Sequence, residues 1–243
     1  MRLTRCFVAT PLSTGAEIAL PDSAAAHLVR VLRLREGDEC VLFNGDGHDY
    51  AARIVAAGKR EVRAAVASKS EARNESPLRI VLLQGIARGE KMDLILQKAT
   101  ELGVAAVVPV NSERSEVKLG AERAARRVEH WRNVIVAACE QSGRATIPEL
   151  SAPASLADAV RSVQATLKLT LDPEGEHALS SLPAPSPPSV AVAIGPEGGW
   201  SPRDRERLKS AGFGGLRLGP RILRTETAGL AAIAALQSRF GDL

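Results

Sequence analysis

From Leu78 onward, apolar residues come in short unbroken runs separated by stretches with helical spacing. Leu78 to Leu83 is a continuous apolar run, the pattern of a parallel strand covered on both faces. Over Glu90 to Leu102, Met92, Ile95, Ala99 and Leu102 repeat at helical spacing, and Gly103 closes the helix. Val104 to Val110 predicts the next strand. Ala121 to Ser142 predicts a long helix with Val128, Trp131, Ile135 and Ala138 on one face, ended by Gly143. Ser155 to Val163 is a short helix whose Ser155 and Asp158 have capping-box spacing. Leu167 to Leu171, Val190 to Ile194 and Leu216 to Leu218 are further strands; Pro202 to Ala211 and Glu226 to Phe240 are further helices. Pro173 to Ser189 is rich in proline and reads as a loop. Alternating strands and helices specify an α/β domain with a mainly parallel sheet.

Residues 1–70 follow another pattern. Glu17 to Leu20, Val41 to Asn44, Tyr50 to Ala57 and Glu61 to Ala67 are short strands separated by glycine turns, which suggests a small barrel. Ser23 to Leu34 reads as a helix with His27, Leu28, Val31, Leu32 and Leu34 on an apolar face. The polar stretch Ser68 to Ser76 reads as the linker, which divides the chain into residues 1–72 and 73–243.

Composition changes this picture little. The chain has 243 residues, 45% of them hydrophobic and 25% charged, as in ordinary globular proteins. No apolar run is long enough to span a bilayer, and the N-terminus lacks a hydrophobic signal core, so a cytoplasmic location is expected. Cys6, Cys40 and Cys139 are odd in number and far apart, which argues for reduced thiols and against a metal site. The net charge of +4 permits a nucleic-acid partner without demanding one. Arg2, Arg5, Arg30, Arg33 and Arg35 could form a basic face or simply a solvated one.

Two loops carry the candidate chemistry. Gly195-Pro196-Glu197-Gly198-Gly199-Trp200-Ser201 joins a strand to a helix that Ser201 caps and Pro202 begins. Leu218-Gly219-Pro220-Arg221-Ile222-Leu223-Arg224-Thr225 joins the last strand to the last helix, with Thr225 placed as its N-cap. Ile222 and Leu223 are too apolar to leave in water, so this loop is expected to bury part of itself. Two such loops in one sheet suggest a ligand site at the carboxyl ends of the strands. Neither is a P-loop or a dinucleotide fingerprint, so the site suits an adenosine without phosphates. Gln97 and Glu101 share a helix face, and Glu140 to Arg144 lies at a helix end; by residue chemistry alone both read as solvation.

Together, Gln97-Lys98-Ala99-Thr100-Glu101-Leu102-Gly103, Glu140-Gln141-Ser142-Gly143-Arg144, Gly195 to Gly199 and Leu218 to Ala228 resemble the ribosomal RNA small-subunit methyltransferase E family. Arg5-Cys6-Phe7, His27 with Val31-Leu32-Arg33, and Phe43-Asn44-Gly45 resemble that family's PUA-like domain. The resemblance implies a PUA-like β-barrel and a SPOUT α/β domain with a deep trefoil knot. It also implies an S-adenosylmethionine cofactor, a homodimer, and methylation of N3 of a uridine in 16S rRNA of the small ribosomal subunit. Cofactor contacts then fall to Leu171, Gly195, Pro196, Glu197, Gly198, Gly199, Leu218, Gly219, Ile222, Leu223, Arg224, Thr225, Thr227 and Ala228. Arg224, Arg5 and Glu197 become the catalytic candidates, with Glu226 as another possible proton acceptor. Two alternatives remain: a ribose 2′-O-methyltransferase of the same superfamily, and a non-catalytic RNA-binding assembly factor.

Overall fold

The structure, a computed structural model, describes residues 3–58, 61–115 and 121–243. Arg2 of the expected basic face lies outside the described residues. The chain divides into two compact units: one runs to Glu75 and takes in Cys139–Ile147, and the other comprises Ser76–Ala138 and Pro148–Leu243.

In the first unit, β1 (Arg5–Phe7) runs parallel to β3 (Glu39–Phe43), and β4 (His48–Ala57) and β5 (Val62–Glu71) continue antiparallel. β2 (Glu17–Ala19) closes the far edge, giving the order β1-β3-β4-β5-β2. This is a mixed sheet rather than a hydrogen-bonded barrel, since no ladder joins β1 to β2 among the described residues. Cys6, Leu28, Leu42, Ile54, Ala64 and Val66 form its core.

Two expectations are corrected here. Ser68 to Glu71 is not linker but the outer half of β5, with Lys69, Ser70 and Glu71 opposite Tyr50, Asp49 and His48. A two-stranded ribbon in solvent needs no apolar side chains, so polarity hid the strand. The helix expected over Ser23 to Leu34 is α1 (Asp22–Ala25) continued by a wider π-turn over Ala26–Val31. Arg33 turns left-handed (φ 59°) and the Leu34 amide donates to the Leu28 carbonyl, ending the helix early. The wider turn changes which residues face inward. Leu28 is buried, whereas Val31 and Leu32 stay 67% and 41% exposed.

The first unit also explains the Glu140 to Arg144 motif. Glu140 Oε1 accepts the Phe7 amide (2.9 Å), and Arg144 clamps Glu75 through Nε and Nη2 (3.1 and 2.6 Å). Arg5 is buried against Asp49 (2.5 Å), donates to the Arg144 carbonyl (3.0 Å) and lies over the Phe43 ring. The motif therefore rivets this unit internally, with Arg144 engaged by Glu75 and Arg5.

The second unit is a parallel sheet. Its elements are β6 (Arg79–Gly85), α2 (Glu90–Glu101), β7 (Ala106–Asn111), α3 (Ala121–Ser142, whose end from Cys139 onward belongs to the first unit), β8 (Glu149–Leu150), β9 (Ala154–Ser155) and α4 (Leu156–Ser162). Then follow β10 (Leu167–Leu171), β11 (His177–Ala178), β12 (Ser189–Ile194), α5 (Pro202–Ser210), β13 (Gly214–Arg217) and α6 (Thr225–Phe240). The strand order is β11-β13-β10-β12-β6-β7-β8, with β9 beside β7. Helices α2 and α6 pack together, with α6 on β6 and β12, while α4 packs on α5 and β7. Val81 and Leu83 join the α4–α5 side of the core, leaving Ile80 and Leu82, also fully buried, for the opposite face. Burial on both faces is why these strands read as continuous apolar runs. The proline-rich loop contains β11 and a short 3₁₀ turn, Leu179–Ser181.

Candidate active site

Because β6, β10, β12 and β13 are parallel, their carboxyl ends share one side of the sheet. The loops after β12 and β13 both emerge there and enclose a cavity of about 600 Å³. That volume suits a small-molecule ligand, for which about 300–1,000 Å³ is usual.

The first loop is held by close backbone packing. The Gly199 amide donates to the Pro196 carbonyl (2.8 Å). A Cβ on Gly85 would lie 2.5 Å from the Pro196 nitrogen, and one on Gly195 would lie 3.2 Å from the Gly199 backbone. Ser201 caps α5 in a reciprocal box with Asp204, and its hydroxyl also donates to Glu113 (2.7 Å). Trp200 is buried, and its indole N–H donates to Thr170 Oγ1 (3.1 Å).

Thr225 is the first residue of α6, not its cap. Arg224 is the cap position, and its carbonyl accepts the Thr227 and Ala228 amides. The Thr225 hydroxyl instead donates to the Gly195 carbonyl (2.6 Å) and accepts from Gln84 Nε2 (3.0 Å), tying the two loops together. Ile222 is also a correction: it is 86% exposed rather than buried, and it stands at the rim of the cavity.

Three charged groups bridge the loops. Lys91 Nζ lies 3.5 Å from Glu197 Oε1 and 3.6 Å from Glu226 Oε2. Glu197 Oε1 also accepts the Arg88 amide (3.1 Å). Burial opposes the charge on Glu197, but hydrogen bonds from the Arg88 amide and its own amide, with the Lys91 ammonium, outweigh it and hold the carboxyl below the usual range. Such a carboxylate is a loop anchor and a weak base. The Arg224 guanidinium is exposed at the cavity with no hydrogen bond or ion pair among the described residues.

Of the residues expected to touch a cofactor, Leu171, Gly195, Pro196, Glu197, Gly199, Leu218, Gly219, Ile222, Leu223, Arg224, Thr225 and Ala228 line the cavity. Gly198 and Thr227 do not. A Cβ on Gly198 would meet Arg114 at 3.1 Å, and Thr227 is exposed on the first turn of α6. Arg5 belongs to the other unit and is not among the lining residues. Lys91, Asp172, Arg205 and Leu216 line the cavity without having been singled out from sequence, and Trp200, quoted only as part of the first loop, lines it too. Lys91 carried one usable signal, its position at the start of the helix that follows β6.

Residues 74–237 match the family model described as RNA methyltransferase domain, and residues 20–66 that described as RNA methyltransferase PUA domain. The chain is 33% identical over 243 residues to Ribosomal RNA small subunit methyltransferase E of Buchnera aphidicola subsp. Schizaphis graminum, covering 100% of this chain and 98% of the relative. The chain belongs to the ribosomal RNA small subunit methyltransferase E family.

Two solved structures sharpen the comparison. The small subunit methyltransferase E from Neisseria gonorrhoeae, bound to S-adenosyl methionine, is 39% identical with a TM-score of 0.93 over 100% of both chains. A putative methyltransferase from Legionella pneumophila, in complex with the cofactor SAM, is 41% identical with a TM-score of 0.96, also over 100% of both.

This family's cofactor fits the residues present. Leu171, Ile194, Leu216, Leu218, Leu223 and Ala228 offer an apolar lining, and the glycine-rich loop brings backbone close to the cavity. The Glu226 carboxylate, also on a lining residue, accepts no hydrogen bond from the described residues, and its Oε2 is buried. Neither loop carries a P-loop or dinucleotide fingerprint.

Proposed function

We propose that this chain uses S-adenosylmethionine to methylate N3 of a uridine in 16S rRNA of the small ribosomal subunit. The observation that carries this reading is the cavity enclosed by the loops after β12 and β13, in a chain that matches cofactor-bound relatives over its full length. When bound, the cofactor supplies a methyl group already activated by its sulfonium. The lining residues from Leu171 to Ala228 named above hold it, with Thr225 fixing one loop against the other.

The remaining work is alignment and charge. The N3–H of uracil is mostly protonated at neutral pH, so the base needs a proton acceptor and a cation that favours its anion. Arg224 supplies the cation, with its guanidinium free at the cavity. Glu197 holds the first loop through the Arg88 amide and Lys91. Arg5, enclosed between Asp49 and Arg144, supports the first unit from within. The target base is unpaired or flipped out when it reacts.

Residues 1–72 grip the RNA through arginines, and residues 73–243 carry methyl transfer; affinity for RNA then falls with salt. The working form is a cytoplasmic homodimer, supported by the exposed Ile222 at the rim. A deep trefoil knot is supported by the chain path. β13 lies outboard of β10, yet α6 returns to pack on β12, β6 and α2, so the second loop crosses back over the strand ends. Among the described residues no helix is long and apolar enough to cross a membrane, and no cluster suits a metal.

The test is methyl transfer from labelled S-adenosylmethionine to small subunits lacking native modification, followed by nucleoside analysis. 3-Methyluridine is the expected product. A ribose-methylated product, or cofactor binding with no product, overturns the reading.

A further inference from the structure

Two carboxylates line the cavity beside Lys91, and the structure treats them differently. Glu197 is engaged by the Arg88 amide and by Lys91 at 3.5 Å, an arrangement that keeps it ionised and occupied. Glu226 has no hydrogen-bond donor among the described residues. Its Oε2 is buried and faces the Lys91 ammonium at 3.6 Å, beyond hydrogen-bond distance. Its side chain is 16% exposed, so the open part of the carboxylate is its other edge, on a residue that lines the cavity.

A general base needs a carboxylate that is ionised, oriented by a partner and open on the side of the proton it removes. Lys91, 3.6 Å from Oε2, supplies the orienting partner from behind, and the absence of a donor on Glu226 leaves its other edge open. We propose that Glu226 is the catalytic proton acceptor and that Lys91 is its positioning residue. This rests on the uridine-N3 reaction proposed above. The proton passes from N3 to the open oxygen of Glu226, and the electron pair of the N–H bond stays on N3, which becomes the nucleophile. Arg224 offsets the negative charge left on the base. As N3 bonds to the methyl carbon, the carbon–sulfur pair stays on sulfur and cancels the sulfonium charge. Glu226 returns its proton to solvent when product leaves.

The other charged groups that line the cavity are Lys91 on α2, 3.6 Å from Glu226, Glu197 in the first loop, Asp172 after β10, which pairs with Arg205 on α5 at 2.5 Å, and Arg221 and Arg224 in the second loop.

The experiment pairs calorimetric binding of S-adenosylmethionine with single-turnover methyl transfer across a pH series, using the full chain. Glu226→Gln is expected to bind the cofactor like the wild type and to transfer methyl about 10²–10⁴-fold more slowly. Its residual rate climbs with pH where the wild-type rate is level, because solvent must then remove the proton. Glu226→Asp keeps a carboxylate and transfers faster than Glu226→Gln. Lys91→Met slows transfer without loss of cofactor affinity, and Lys91→Arg, which restores a cation at that position, recovers most of the rate, a rescue that loss of a merely structural contact does not predict. The proposal is overturned if Glu226→Gln transfers at the wild-type rate. It is equally overturned if that variant loses cofactor affinity in step with its rate, which makes Glu226 a ligand anchor. A wild-type protein that binds cofactor but makes no 3-methyluridine removes the reaction itself, and the assignment with it.

Discussion

The Thr225 hydroxyl donates to the Gly195 carbonyl oxygen at 2.6 Å, joining the first turn of α6 to the start of the glycine-rich loop. The same hydroxyl accepts from Gln84, which is fully buried on β6. One side chain thus couples three segments that meet at the carboxyl ends of the sheet.

Thr225→Val keeps the shape and removes both bonds. It leaves the Gly195 carbonyl without this donor and Gln84 Nε2 with only the Gly85 carbonyl, and should cost about 1–3 kcal/mol. Urea denaturation measures the loss, and calorimetry should show weakened S-adenosylmethionine binding. Thr225→Ser, which retains the hydroxyl, should recover most of both.

Gly85→Ala tests the packing beneath the same loop. The new methyl would sit 2.5 Å from the Pro196 nitrogen and 2.9 Å from the Gly195 carbonyl carbon, so backbone must move. A destabilisation of about 1–3 kcal/mol is expected, together with reduced cofactor affinity. Gly198→Val is a useful contrast. Its side chain would press on Arg114 rather than fill the cavity, so any effect on binding comes through displacement of the loop.

Arg224→Ala separates chemistry from folding. The guanidinium is exposed and unpaired among the described residues, so the change in stability should stay within about 0.5 kcal/mol. Methyl transfer should fall by about 10²-fold, the usual loss when a group stabilising developing charge is removed. Thermal unfolding and single-turnover rates of one preparation decide it; equal losses would reduce Arg224 to a structural residue.

Glu197 makes stability depend on pH. Its folded carboxyl titrates below the ordinary carboxylate value, so its stabilisation is fully present above that value. The contribution is lost as pH falls through the lower folded value. Glu197→Gln should therefore lower the Tm at neutral pH, with the difference shrinking in acid. A difference that persists unchanged into acid would contradict the assignment.

All three cysteines are buried. Burial pushes the thiols of Cys6 and Cys139 up to about 12 and that of Cys40 up to about 11. They should resist a maleimide in the native protein at neutral pH and react once it is denatured, because the thiolate is the nucleophile. Rapid labelling of the folded chain would show that this core opens readily.

Sequence alone determined what local pattern can encode. Continuous apolar runs such as Leu78 to Leu83 and Val190 to Ile194 specify strands buried on both faces, and the alternation of strands with helices specifies an α/β unit. Ser201 and Ser155 announced their caps because capping depends on residues only three positions apart. The loops that line the cavity stood out because glycine, proline and paired arginines are unusual between a strand and a helix.

Tertiary structure decided what depends on distant partners. Thr225 looks like an N-cap until Gly195, thirty positions earlier in the chain, is seen to accept its hydrogen bond. Arg5 looks like a free cation until Asp49 and the Arg144 carbonyl enclose it. Glu197 and Glu226 carry the same carboxylate, and only the Arg88 amide and the stance of Lys91 make one an anchor and leave the other open. Val31, Leu32 and Ile222 are apolar residues that the fold of a single chain leaves in solvent. Short-range pattern sets backbone conformation because its determinants lie within a few residues, whereas the charge, burial and availability of a side chain are set by atoms that only folding brings near.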